Sequence, residues 1–347
     1  MSNSWPDVLS GLIAGHDLTS QTARWAMGQI LAGETTPVQI AGFAVALRAK
    51  GETVEELAGL AQAMLDHATP LELPREAVDV VGSGGDRANT VNISTMAAIV
   101  AAASGVPVVK HGNRAASSAC GTADCLEALG VALTVAPAAQ AQVLDEAGIV
   151  FLFAPLYHQS LRHAGAARRE LGVQTAFNFL GPLANPARPV AQAIGCANRA
   201  LAPRMAGVIA GRGHRGLVFH GEDGLDELTT TTRSLVWLVD GGEVTRTELD
   251  PQELGLAPAS PEALVGADPA HNAAVVRRVL AGEPGPIRDI VLLNAAAALL
   301  AYAGPTDRPV AEQLAPQLER AAEAVDSGAG AALLERWVAV TAAADKA

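Results

Sequence analysis

The spacing of apolar positions changes once along this chain, near residue 70. From residue 5 to 67 they recur at helical intervals, and the pattern predicts four amphipathic helices. Thr36 followed by Pro37 reads as a cap with proline at the first helical position, and Thr53 with Glu56 as a capping box. Short helices with one apolar face need a partner, so this module should pack on the rest of the chain or on another subunit. From about residue 76, short Val/Ile-rich runs alternate with Ala-rich helical stretches, as expected of an α/β domain with a largely parallel sheet. The chain shows no internal repeat and no low-complexity linker.

Two polar motifs interrupt the second region where apolar runs end. Val78 to Val81 reads as a short buried strand broken only by Asp79, and Gly82-Ser83-Gly84-Gly85-Asp86 follows it, ahead of a helical run near Ser94. Glycines reach positive φ and let backbone N–H groups converge on an oxyanion, and the helix start adds a positive dipole end. Asn92-Ile93-Ser94-Thr95 offers an amide and two hydroxyls there, suited to capping, to phosphate oxygens or to a metal. A glycine cluster alone is also a tight turn. Neither the dinucleotide fingerprint nor the P-loop pattern fits, because Arg87 sits where the first needs glycine and the second's Gly-Lys-Ser/Thr is missing.

The second motif, Lys110-His111-Gly112-Asn113-Arg114, follows the strand candidate Val106 to Val109. Lysine is rare here, at positions 50, 110 and 346 only, so Lys110 is not compositional filler. At the carboxyl end of a parallel strand these cationic and polar groups would face the same crevice as the glycine loop; a solvated polar turn is the alternative. Together the motifs describe one anion-binding mouth suited to a phosphorylated sugar.

Composition narrows the partners. With 347 residues, half of them hydrophobic, the chain can bury a substantial core. A net charge of -12 and few aromatic residues argue against a nucleic-acid surface. Cys120, Cys125 and Cys196 show no metal spacing and cannot all pair with one another, which suits reduced thiols. The first residues lack a signal-peptide pattern and no uncharged apolar run reaches the length of a membrane span, so the expected location is cytoplasmic, with no membrane partner.

These motifs, with the stretches from Phe151 to Pro155 and Leu180 to Pro186 and with Gly224-Leu225-Asp226-Glu227, resemble the anthranilate phosphoribosyltransferases, in order and over nearly the whole chain. The likeness is greatest to actinobacterial members. It implies a helical domain (residues 1–70, completed by a returning segment near 158–185), an α/β domain (71–347), a cleft between them, and homodimers formed through the helical domain. It also implies transfer of phosphoribose from 5-phosphoribosyl 1-diphosphate (PRPP) to the amine of anthranilate, with release of diphosphate and inversion at the anomeric carbon.

The resemblance assigns residues one by one. Substrate contacts fall on Gly82, Gly84, Gly85, Asp86, Thr90, Asn92, Ile93, Ser94 and Thr95, and on the loop Lys110, His111, Gly112, Asn113, Arg114, Ala115, Ala116, Ser117 and Ser118, with Thr122. Gly82 and Asn113 match positions that meet anthranilate, and Arg168 matches the residue that takes its carboxylate, for which a guanidinium fork is well shaped. Arg162, His163, Arg168 and Arg169 lie in one helical pattern, and a basic helix surface is the plainer reading of Arg169. The segment from Phe177 to Pro182 reads as a packed turn with a structural role.

Asp223 to Glu227 follows the strand candidate Leu217 to His220 on a turn near the sheet's edge. Adjacent acids repel, so a solvated loop or a bound cation must relieve them. Beside a diphosphate site, hard-oxygen coordination of Mg²⁺ is the better reading. The resemblance makes Asp226 and Glu227 metal residues and gives the Ser94 hydroxyl to a second ion. Lys110 would stabilise the departing diphosphate, and His111 is the candidate acceptor of the amine proton.

The chain departs from the family's usual pattern at Ser83 (threonine), Arg87 (glycine), Cys120 (serine), Gln159 (proline) and Leu161 (often aromatic). Two competing functions share some of these features. A pyrimidine nucleoside phosphorylase has the same general architecture and a lysine-bearing loop, but needs no metal, and the Asp226–Glu227 pair speaks against it. A noncatalytic homologue that binds nucleic acid or a protein would not need the metal residues and sits badly with the acidic balance.

Overall fold

Thr36 and Thr53 start two helices by the same reciprocal device. Thr36 Oγ1 accepts from Gln39 N at 3.3 Å while Thr36 N donates to Gln39 Oε1 at 3.0 Å; Thr53 and Glu56 repeat the exchange at 3.2 and 2.8 Å. The four N-terminal helices are Trp5–Ile13, Ser20–Ala32, Pro37–Lys50 and Val54–Asp66. The Gln39 arm of the first box is an addition to the sequence reading.

The computed structural model describes residues 3–115 and 119–345. It comprises two compact units, Met1–Pro70 with Ala154–Pro186, and Leu71–Phe153 with Ala187–Ala347. In the first, the apolar faces of the helices meet around Trp5, which packs edge-on against Phe43 at 5.7 Å between ring centroids. Glu56 is fully buried and accepts from Leu18 N, Thr53 N and Lys50 Nζ, so one carboxylate joins three segments. The returning segment adds the helix Arg162–Leu171, which packs on Pro37–Lys50, and two short 3₁₀ turns, Ala176–Asn178 and Gly181–Leu183.

The second unit is built on a seven-stranded sheet: β1 Val78–Gly82, β2 Val108–Gly112, β3 Ile149–Phe153, β4 Ala191–Gly195, β5 Arg215–Gly221, β6 Ser234–Asp240 and β7 Glu243–Leu249. Spatial order is β3-β2-β1-β4-β5-β6-β7, parallel from β3 to β5 and antiparallel thereafter. The near-continuous apolar runs of the parallel strands follow from burial on both faces. The β6–β7 hairpin was not anticipated. Its signal is the pair Gly241-Gly242, both at positive φ, the two-residue turn that suits strand twist. Because that hairpin extends the sheet, the acidic turn after β5 does not lie near an edge, as the sequence suggested. β5 is interior.

The chain runs β1, β2, β3 outward to one side and returns at β4 on the other side of β1. Strand order therefore reverses between β1 and β4, and the crevice beyond the carboxyl ends of such a pair is where open α/β sheets bind ligands. Gly82 and Gly195 are register partners at those two ends. The helix Pro286–Ala303 is long and apolar enough to cross a membrane by length and composition; it packs against β1, β4, β5 and Ile93–Ala103, and two-thirds of it is buried as a core helix.

Candidate functional site

Gly82 and Gly195 leave room for a loop to cross the ends of β1 and β4. A Cβ at Gly195 would lie 1.6 Å from the Asp226 carbonyl oxygen, and one at Gly82 would lie 2.3 Å from Asp226 Oδ2. The acidic turn therefore folds over the strand ends, and Gly84 N donates to Asp226 Oδ2 at 2.6 Å. Asp226 and Glu227 are both buried, which excludes the solvated acidic loop.

Burial dominates the electrostatics. It pushes the Asp226 carboxyl up to about 7, with Asp86 adding to the rise, and holds Glu227 well above the usual carboxylate range, with Asp226 adding and Lys110 opposing. The Ser94 N–H donates to the Glu227 carboxylate. Burial also lowers Lys110, against the pull of Asp79, Glu227 and Asp226. A divalent cation beside the two carboxyls would offset the charge that burial disfavours.

Lys110 and His111 lie within β2 and not in a loop after it, which corrects the sequence placement. Lys110 is buried and donates from Nζ to Val80 O and, at 3.3 Å, to Ser94 Oγ. His111 is buried too, and its backbone N–H donates to Asp79 Oδ1 at 3.1 Å. Asp79, read from the sequence only as an interruption in an apolar strand, thus braces β1 against β2 beneath the site. A charged residue inside a buried run was the signal that could have found it.

Asn92 precedes the helix Ile93–Ala103, yet no side chain caps that helix. Asn92 instead ties loops together: it accepts from Asn272 Nδ2 at 2.8 Å and from Cys120 Sγ at 3.4 Å, and donates to Cys120 O at 3.2 Å. Cys120 thus takes part in a polar contact rather than only packing. Thr95 and Thr122 hydroxyls meet at 3.4 Å, Ile93 is buried, and Thr90 bridges to Val265. Ser83 Oγ accepts from Ala197 N at 3.0 Å, so the serine keeps a hydroxyl role.

The loop after β2 is held by acids. Arg114 pairs with Asp124 at 2.8 Å and with Glu127 at 2.9 Å, and its guanidinium lies over Phe153; Glu127 and then Asp124 raise its pKa further. Asp124 Oδ2 accepts from Ala115 N and Gly121 N. Asn113 is exposed, and Gly112 faces Phe151, where a Cβ would lie 2.9 Å away. Gly85 is at positive φ beside Asp86. Ala116, Ser117 and Ser118 lie outside the described residues.

In the first unit, Arg168 sits in the helix Arg162–Leu171 with its guanidinium 5.6 Å from the Phe177 ring centre, and burial lowers its pKa. Thr175 N donates to Asn178 Oδ1, which makes the Phe177 segment a folded turn.

A largely parallel sheet with a glycine loop and a buried acidic pair at the carboxyl ends of β1 and β4 defines an α/β unit built to hold an anion together with a cation. Residues 74–331 match the glycosyl transferase family a/b domain and residues 6–68 its helical bundle domain. An anthranilate phosphoribosyltransferase from Arthrobacter sp. (strain FB24) is 58% identical over 339 residues, covering 98% of this chain and 96% of the relative. The crystal structure of the enzyme from Thermus thermophilus superposes with a TM-score of 0.90 at 43% identity, over 97% of this chain and 99% of that one. The Saccharomyces cerevisiae enzyme in complex with PRPP and Mg superposes at 0.87 with 26% identity, over 98% of both chains, and it has also been solved with 4-fluoroanthranilate. The chain belongs to the anthranilate phosphoribosyltransferase family.

Proposed function

We propose that this chain transfers the 5-phosphoribosyl group of PRPP to the amine of anthranilate, giving N-(5-phosphoribosyl)anthranilate and diphosphate, the second step of tryptophan synthesis from chorismate. The observation that carries the reading is the buried Asp226–Glu227 pair folded onto the glycine loop, because it gives the anion site a place for a divalent cation. A phosphorylase using inorganic phosphate has no need of such a pair.

The donor set fits Mg²⁺. Among the described residues no three His, Cys, Asp or Glu side chains converge on one point, so protein groups alone do not complete a coordination shell. Mg²⁺ is usually held by one or two carboxylates, with waters and substrate phosphates filling the rest. Asp226 and Glu227 would hold one ion, and the Ser94 hydroxyl would serve a second. When bound, the metal neutralises charge that develops on the departing diphosphate.

The protein's own residues position and stabilise. We assign the sugar diphosphate to the glycine loop and to Asp86, Thr90, Asn92, Thr95 and Thr122, with Gly84 N holding Asp226 in place. Lys110, held by Val80 O and Ser94 Oγ, would bring its ammonium to the leaving group, whose negative charge would offset the burial that lowers its pKa. Anthranilate's amine is neutral at pH 7 and needs orientation, for which we assign its carboxylate to Arg168. His111 is our candidate for the amine proton; an unchanged pH–rate profile in His111→Ala would remove it.

Two properties complete the reading. Ile13, Val38 and Val45 are large apolar side chains exposed on the helical unit, and we assign that surface to a homodimer; sedimentation equilibrium of V38D should shift toward monomer. Free, buried Cys120, Cys125 and Cys196 suit a reducing compartment, and we place the enzyme in the cytoplasm. The experiment that tests the function is mass analysis of products from PRPP, anthranilate and Mg²⁺. Appearance of the phosphoribosyl adduct together with diphosphate supports it, and ribose 1-phosphate formation from uridine and phosphate would favour the phosphorylase.

A further inference from the structure

The glycine loop, the end of β2 and the loop after β2 carry three cations with very different commitments. Arg114 is bound to Asp124 and Glu127. Lys110 is buried and donates to Val80 O and Ser94 Oγ. Arg87 is exposed and, among the described residues, makes no hydrogen bond, ion pair or ring contact. Asp86 neighbours Arg87 in the glycine loop, and Asp226 and Glu227 are buried carboxyls whose charge burial disfavours. An oxyanion arriving there gains most from a cation that is not already committed to a protein group.

Arg87 is also held in an unfavourable backbone conformation. Its φ is 62°, in a stretch where Gly84 (69°) and Gly85 (85°) adopt positive φ freely. A side chain with a Cβ is strained there relative to glycine. Asn89, at 52°, is a residue type that tolerates this region; arginine is not. A cation kept at a position that glycine would occupy with less strain, and engaged with nothing in the protein, is suited to a ligand.

We propose that Arg87 is a substrate-binding residue that takes the diphosphate oxygens of the sugar substrate, supplying the loop's free positive charge. The inference rests on the sugar-diphosphate reading of the site. A guanidinium suits the task because it stays charged at all working pH values and can donate two parallel N–H bonds to phosphate. As an exposed group it also attracts a polyanion before contact, which makes part of the substrate's affinity sensitive to salt.

Arg87→Gly separates binding from folding, because glycine suits the observed φ. The expected result is a KM for PRPP raised by about tenfold with the KM for anthranilate unchanged, a weaker dependence of that KM on ionic strength, and a melting temperature equal to or above wild type. Arg87→Lys should recover part of the loss. Calorimetric binding of Mg²⁺-diphosphate to wild type and Arg87→Gly gives a second readout that needs no turnover and should weaken in parallel. Unchanged PRPP KM and diphosphate affinity in Arg87→Gly overturn the inference while leaving the proposed function intact. Arg87-dependent diphosphate binding in a wild type that does not consume anthranilate supports the inference and removes the function. Absence of any diphosphate or PRPP binding by wild type overturns both.

Discussion

Gly82 and Asp226 are matched to each other: the carboxylate occupies the space that any side chain at residue 82 would need, with Oδ2 only 2.3 Å from an ideal Cβ. Gly84 N then fixes the same oxygen. Gly82→Ala should therefore push Asp226 off the glycine loop and lower kcat/KM by about a hundredfold, since an ångström of misplacement in a positioned site has that effect. Steady-state kinetics on protein with a native melting profile checks it, and near-wild-type activity would show that the contact is dispensable.

Asp226→Asn and Glu227→Gln keep the shape of the turn and remove its charge. Each should raise the Mg²⁺ concentration for half-maximal activity by at least about tenfold. Because burial disfavours both charges in the metal-free protein, the variants should fold at least as stably as wild type when Mg²⁺ is chelated. Wild-type metal dependence would rule out direct ligation.

Arg168→Ala should raise the KM for anthranilate by about tenfold or more, the loss of one charge-assisted pair, with little change in the KM for PRPP. Equal effects on both constants would remove the carboxylate assignment and leave a packing role against Phe177.

Glu56 tests the helical unit. Its carboxylate is buried and holds Leu18 N, Thr53 N and the nearly buried Lys50 ammonium, so Glu56→Ala leaves two backbone donors without their acceptor, while Lys50 keeps Asp17 and Gly51 O. Destabilisation of about 2 kcal/mol, measured by urea unfolding, is expected from the two unsatisfied donors. A loss under about 1 kcal/mol would show that water replaces the carboxylate there.

His214 sets a pH limit. Burial, reinforced by Arg212 and Arg75, pushes its pKa down to about 4, and Arg75 Nη2 donates to its Nε2 at 2.9 Å. The unfolded chain binds this proton near 6.5 and the folded one near 4. The stability that neutral His214 contributes is therefore complete above about 6.5 and is lost as pH falls toward 4. The melting temperature should decline over that window, and less steeply in His214→Gln. Identical slopes would assign the decline to other groups.

Local signals carried most of the fold. Thr36-Pro37 and Thr53/Glu56 mark helix starts by chemistry that acts over three residues, and the Val-rich runs of β1 and β2 mark buried strands because both faces are covered. The β6–β7 hairpin escaped because β7 is largely exposed and carries little apolar pattern beyond its turn. Within the site, the glycine loop and acidic pair were legible as motifs. Their contact was not, because Gly82 and Asp226 are 144 positions apart in sequence and meet only through the β1–β4 strand reversal. The same holds for Asp79, whose partner is a backbone N–H on the neighbouring strand, and for Arg114, whose acids lie on the following helix.

The most direct test of the central claim is the fluorescence of anthranilate incubated with the purified protein, PRPP and Mg²⁺, with each component omitted in turn. The account predicts loss of signal only when protein, PRPP and Mg²⁺ are all present. A stable signal with folded, metal-loaded protein would contradict it.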